Sequence, residues 1–101
     1  MASPEELLEK WKRQTPTEVR IEELLKVARH YIPECIREKT SGSHFLIIEH
    51  PFLQYHSAFG GKGRLDLSST GGRFVKGVWV KSFVKAVELI LDYKSWQEGQ
   101  K

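Results

Sequence analysis

One cysteine, Cys35, is all the thiol that this chain of 101 residues carries. No internal disulfide can form, and a reducing compartment is the natural setting. With no second thiol or histidine cluster beside it, Cys35 reads as buried filler. Long apolar runs are also missing, since no stretch approaches the roughly 18 residues that cross a bilayer. The first residues, Met1-Ala2-Ser3-Pro4-Glu5-Glu6, are acidic where a secretory leader is basic. These shortages predict a cytoplasmic protein without a membrane partner. Zinc motifs are lacking too: His44, His50 and His56 recur every six residues and His30 stands apart, with no cysteine or acidic partners at ligand spacing. No metal is expected. Gly60-Gly61-Lys62-Gly63 lacks the Ser/Thr and the following helix that a phosphate-binding P-loop needs, so it reads as a turn and implies no small-molecule cofactor.

Charge, by contrast, is unevenly placed. The net charge is +3, but residues 37–85 hold eight Lys/Arg against three Asp/Glu, a surplus of +5. The segments on either side are each at −1. A basic stretch this contiguous is either a solvated face or the footprint of a polyanion, and phosphate contacts supply most non-specific nucleic-acid affinity.

Two helix starts are spelled out. Ser3-Pro4-Glu5-Glu6 places a capping serine, a first-turn proline and a glutamate three residues after the serine, ahead of Leu7, Leu8 and Trp11. Thr15-Pro16-Thr17-Glu18 repeats the signal and predicts a second helix, with Ile21, Leu24, Leu25, Ala28 and Ile32 on one face and Pro33 as its stop. Strands are predicted within Glu34–Lys39, over Phe45–Ile48 and over Arg64–Ser68, with turns at Thr40-Ser41-Gly42 and Ser69-Thr70-Gly71-Gly72. If Phe45 and Ile47 face the helices, His44 points to the open side of the sheet. Val80, Phe83, Val84, Val87 and Ile90 or Leu91 predict a last helix, with Trp79 and Trp96 closing the ends of the core. The expected class is α+β: helices on one face of a three-stranded antiparallel sheet, in the order α-α-β-β-β-α.

His44 is the side chain with chemistry to offer. It follows Thr40-Ser41-Gly42-Ser43, with Arg37 and Lys39 just upstream. An exposed imidazole exchanges protons near neutral pH, whereas a lone strand histidine can equally be structural. RNA carries its own nucleophile, the 2′-hydroxyl, so its cleavage needs little beyond a proton acceptor and positive charge near the phosphate. The connection from Pro51 to Gly63 carries Phe52, Tyr55, His56 and Phe59, which either stack on unpaired bases or pack against the body.

From about Glu18 to Tyr93 the chain resembles the HicA-type mRNA interferase toxins. The resemblance rests on Gly42-Ser43-His44 followed by apolar residues and His50-Pro51. Leu24-Leu25-Lys26-Val27, Arg64-Leu65-Asp66-Leu67 and Val75-Lys76 leading to Val80-Lys81 extend it. It implies a double-stranded-RNA-binding-domain-like (dsRBD-like) fold and a catalytic histidine at His44. It also implies metal-free cleavage of mRNA and a HicB-type antitoxin as partner. Phe45 stands where the family often has a second histidine, and the 51–63 loop is longer than expected. On this reading residues 1–16 are a helical extension, 17–95 the HicA-like domain and 96–101 a frayed tail. The candidate RNA-binding residues are Arg37, Lys39, Ser43, Lys62, Arg64 and Lys76. The alternatives are a non-catalytic RNA-binding module of the same fold and a protein-interaction domain whose charge is incidental.

Overall fold

The computed structural model describes residues 2–39, 44–55, 59 and 63–99. The first helix, α1 (Pro4–Arg13), is capped as its sequence prescribes. Ser3 Oγ accepts from the Glu6 N–H at 3.2 Å and donates to the Glu6 carboxylate. Leu7, Leu8 and Trp11 recur on one face and are buried. Trp11 meets Phe83 edge to face, with ring centroids 6.3 Å apart. This helix therefore packs into the same core as the rest of the chain instead of trailing from it.

The second start signal does not start a helix. Glu18–Arg20 is extended as β1 and pairs antiparallel with β5 (Phe74–Lys76), Val19 lying opposite Val75. Both valines are buried, and pairing them outweighs a local preference worth only tenths of a kcal/mol per residue. The helix α2 (Ile21–Tyr31) begins at Ile21, with the Arg20 N–H donating to Glu23 Oε1 at 3.5 Å. Pro33 ends it as expected, and a single 3₁₀ turn, Pro33–Cys35, buries the cysteine.

β2 (Ile36–Glu38), β3 (His44–Glu49) and β4 (Arg64–Ser68) form an antiparallel sheet in that spatial order. Its inner face is set by the pairs Ile36–Ile48, Ile48–Leu65 and Leu46–Leu67. These positions pack against Leu24, Val27, Ala28 and Ile32 of α2 and against Val80, Phe83, Val87 and Ile90 of α3 (Gly77–Gly99). Leu46 and Ile48, not Ile47, thus face the helices. The ladder slips between His44 and Leu46, and the extra residue, Phe45, joins the core. Among the described residues the result is an α+β fold of three α-helices with antiparallel sheets.

The helix α3 continues to Gly99, past Tyr93 and into the residues read from sequence as a frayed tail. Contacts from elsewhere hold it: Lys94 pairs with Glu34, and the Tyr93 ring lies against His50 with centroids 4.8 Å apart. Trp79 packs on the core, whereas Trp96 is 60% exposed and closes nothing. No helix among the described residues is long and apolar enough to cross a membrane.

Gly77 is the tightest joint. Its N–H donates to the Thr17 carbonyl at 2.7 Å, and an added Cβ would stand 2.2 Å from the Pro16 oxygen. Alanine would normally favour a helix, but here something must shift. Gly77→Ala is expected to destabilise the fold by about 1–3 kcal/mol, the range for overpacking, read from the urea midpoint. A midpoint at or above the parent's would show that the joint yields freely.

Candidate functional site

Strand alternation puts Arg64, Asp66 and Ser68 on the face of β4 opposite buried Leu65 and Leu67. The register then builds a polar surface across three strands. His44 lies opposite Ser68, Ile47 opposite Asp66, Glu49 opposite Arg64, and Arg37 opposite Ile47. Lys39 follows Arg37 by one alternation. The outer face, away from the helices, therefore gathers Arg37, Lys39, His44, Glu49, Arg64, Asp66 and Ser68 around Ile47. That isoleucine is only 1% exposed although it lies outside the main core cluster.

The slip at Phe45 decides where His44 goes. Without it, alternation from Leu46 would still place His44 on the inner side. The extra residue turns it outward to pair with Ser68. The imidazole is exposed, and Nδ1 lies 3.3 Å from Ser68 Oγ. Nε2 has no hydrogen-bond partner among the described residues and opens to solvent.

Two ion pairs lie on the same face, further along the strands towards Glu49. Arg64 grips Asp66 with both arms of its guanidinium, at 2.6 and 2.9 Å. Arg37 Nη2 reaches Glu49 Oε1 at 3.2 Å. The hydrogen bonds from Arg64 hold the Asp66 carboxyl below the usual carboxylate range, and the nearby charges of His44 and Lys39 act in the same direction. Because that shift is downward, the pair contributes its stability above the ordinary aspartate value of about 3.9 and loses it as pH falls through the lower folded value. Near neutral pH the fork is closed. Lys39 has no ion-pair partner among the described residues, so three cations against two carboxylates leave this face one positive charge in excess.

Of the residues singled out from sequence, Arg37, Lys39, His44 and Arg64 are brought together here. Lys76 is not: it lies on β5, opposite Glu18, in the two-stranded ribbon. Ser43 and Lys62 fall outside the described residues, as do Gly42, His56 and the Gly60-Gly61 pair. Asp66, Ser68 and Glu49 were not singled out. The alternation of Arg64, Asp66 and Ser68 with two leucines was the signal that could have found the first two.

His50 plays a different part from His44. Its N–H donates to the Gly63 carbonyl at 2.9 Å, and its Nδ1 accepts from the Phe52 N–H at 3.1 Å. Burial pushes its pKa below the ordinary histidine value, in keeping with a ring nitrogen that accepts. It shapes the exit from β3 into the 3₁₀ segment Pro51–Tyr55. Leu53 and Phe59 pack inward from this connection, Phe52 is half-buried and Tyr55 is exposed. Among the described residues no three His, Cys, Asp or Glu side chains converge as metal ligands. Comparison with known protein families, curated proteins and solved structures finds no match to this chain.

Proposed function

We propose that this chain is a metal-independent endoribonuclease of the HicA type, with His44 as its acid/base residue, built on a dsRBD-like frame. The observation that carries the reading is the placement of His44. The imidazole is exposed on the outer face of the sheet, steadied at Nδ1 by Ser68 and open at Nε2, with Arg37, Lys39 and Arg64 on the same face. With the ribbon strands β1 and β5 set aside, β5 falling between β4 and α3, the order α2, β2, β3, β4, α3 with its helices on one side of the sheet is compatible with the dsRBD-like reading.

The chemistry follows from the ring. In the tautomer that donates Nδ1–H to Ser68, Nε2 carries the lone pair. It takes the proton of a ribose 2′-hydroxyl as that oxygen attacks the adjacent phosphorus. The bond to the 5′-oxygen breaks, and the departing oxygen takes a proton from the imidazolium. Cationic side chains stabilise the charge that gathers on the phosphate. On this reading mRNA is the substrate, a HicB-type antitoxin is the partner that silences it, and the cytoplasm is where it acts.

The test is RNA degradation by the purified protein in a chelator, followed on a denaturing gel and compared with His44→Ala. RNA that is bound but intact after long incubation would leave the non-catalytic RNA-binding module as the better reading.

The ion pairs add a second expectation. Asp66→Asn frees the Arg64 fork and removes a carboxylate that repels phosphate. RNA affinity is expected to rise several-fold at low salt. The slope of log K against log salt is expected to steepen by about 0.7, one added phosphate contact to a single strand. An unchanged slope in anisotropy titrations would mean that Arg64 does not reach the backbone.

A further inference from the structure

β3 spans about 20 Å at roughly 3.3 Å per residue, and at its far end from His44 the chain gathers aromatic rings. Phe52 and Tyr55, from the 3₁₀ segment, meet Tyr93 and Trp96, from the last turns of α3. Phe52 and Tyr93 lie 5.2 Å apart at 38°, Tyr93 and Trp96 6.4 Å apart at 34°, and Phe52 and Tyr55 6.1 Å apart. Phe52, Asp92, Tyr93 and Trp96 line a hollow of about 370 Å³. Two of the rings are turned to solvent, Tyr55 at 78% exposed and Trp96 at 60%. These two exposed rings stand at the ends of a run of four, joined through Phe52 and Tyr93, and exposed apolar side chains grouped in this way mark a contact surface, whereas single ones need no explanation.

We propose that this cluster is a stacking platform for unpaired bases of an RNA strand whose backbone runs along the outer face of the sheet. The proposal rests on the reading above that the ligand is RNA, and it narrows that ligand to single strands. Three observations select a base over other occupants. First, Phe52, Tyr93 and Trp96 are tilted by 38° and 34° from one to the next and form a stepped floor suited to a flat heterocycle, with Tyr55 standing at 65° to Phe52 as a single side wall. An ammonium cage encloses its cation with steeper walls. Second, the Asp92 carboxylate on the rim repels phosphate but accepts from the amino groups of adenine, guanine or cytosine, so a base edge enters and not the backbone. Third, the platform adjoins the end of the basic face: Arg64 lies opposite Glu49, the residue before His50, and the His50 ring meets Tyr93 edge to face. A duplex keeps its base faces covered and has nothing to lay on the rings.

The test is fluorescence anisotropy with labelled ten-nucleotide oligoadenosine, oligouridine and a duplex RNA of equal length, all 2′-O-methylated so that the 2′-oxygen cannot attack and the probes stay intact. The intact chain is compared with Trp96→Ala, Tyr55→Ala, the double variant and Trp96→Phe. The substituted side chains are exposed, so the fold is retained. Each alanine is expected to weaken oligoadenosine binding about tenfold and the pair about a hundredfold, in line with the loss of a stacked base. Trp96→Phe should recover most of the loss. Duplex affinity and the salt slope should stay at the parent's values, because no phosphate contact has been removed. Oligoadenosine affinity in the double variant equal to the parent's would overturn the platform, as would binding of a trimethyllysine peptide that depends on Trp96 and excludes RNA. If the parent binds none of the three RNAs, the ribonuclease reading fails along with it. If the parent cleaves RNA and the double variant binds as the parent does, the platform alone fails.

Discussion

His44→Ala is expected to abolish RNA cleavage, lowering the rate by about 10²–10⁴, the usual contribution of a positioned proton-transfer group. The side chain is exposed and makes one long contact, to Ser68 at 3.3 Å, so its removal leaves no cavity and no buried unpaired atom. The thermal transition should therefore match the parent's. RNA affinity should also be kept, because the proposed reading assigns it to the charged neighbours and not to the imidazole. This combination separates a catalytic role from a structural one. A structural histidine would lose stability and activity together, whereas an irrelevant one would lose neither. Cleavage by the variant at the parent rate would remove His44 from the mechanism.

The second large effect concerns stability. Trp11→Ala is expected to cost about 3–5 kcal/mol, the range for deleting a buried large aromatic side chain. A domain of this size has about 5–15 kcal/mol in total, so a large share of its margin disappears. The cause is specific. Trp11 is buried against Phe83, itself fully enclosed, and Leu7 and Leu8 fill the space beside it. The loss should be seen in a single cooperative urea transition shifted to lower concentration, because α1, α2 and α3 share one core. A parent-like midpoint, or two separate transitions, would mean that the first helix is an appendage after all.

Much of the secondary structure was legible because local and global preferences agree. Arg64–Ser68 alternates polar and apolar residues and is a strand over those five residues. Pro33 stops α2, and the apolar period of 80–90 marks the buried face of α3. What failed had its cause elsewhere in the chain. Thr15-Pro16-Thr17-Glu18 carries the same local signal as Ser3-Pro4-Glu5-Glu6, yet only the latter starts a helix. What separates them is Val75, the partner of Val19, 56 residues away. The helical state of 94–99 depends likewise on contacts made by Tyr93 and Lys94 with the distant turn around Glu34 and His50.

The candidate site was half legible. Its strands and its histidine could be read, and so could three of its cations. The slip at Phe45 could not, because a bulge is a property of two strands in register and only one of them is local. The ion pairs of Arg37 and Arg64 were hidden for the same reason. Glu49 lies on a strand neighbouring that of Arg37, and Asp66 is two residues from Arg64, a spacing that joins side chains only once the strand is formed.

The ribbon of β1 and β5 has a consequence for synthesis. The three strands that carry His44 and its neighbours are complete once residue 68 has left the ribosome, and they lie close in sequence. The clasp that ties the start of α2 to the start of α3 cannot close until residues 74–76 emerge, and closing so long a loop is slow compared with forming a hairpin. The nascent chain is therefore expected to pass through a stage with the His44-bearing sheet written but its helical backing unfastened. Strand edges are then open to other chains, so a chain that stops short of residues 74–76 is expected to be prone to aggregation.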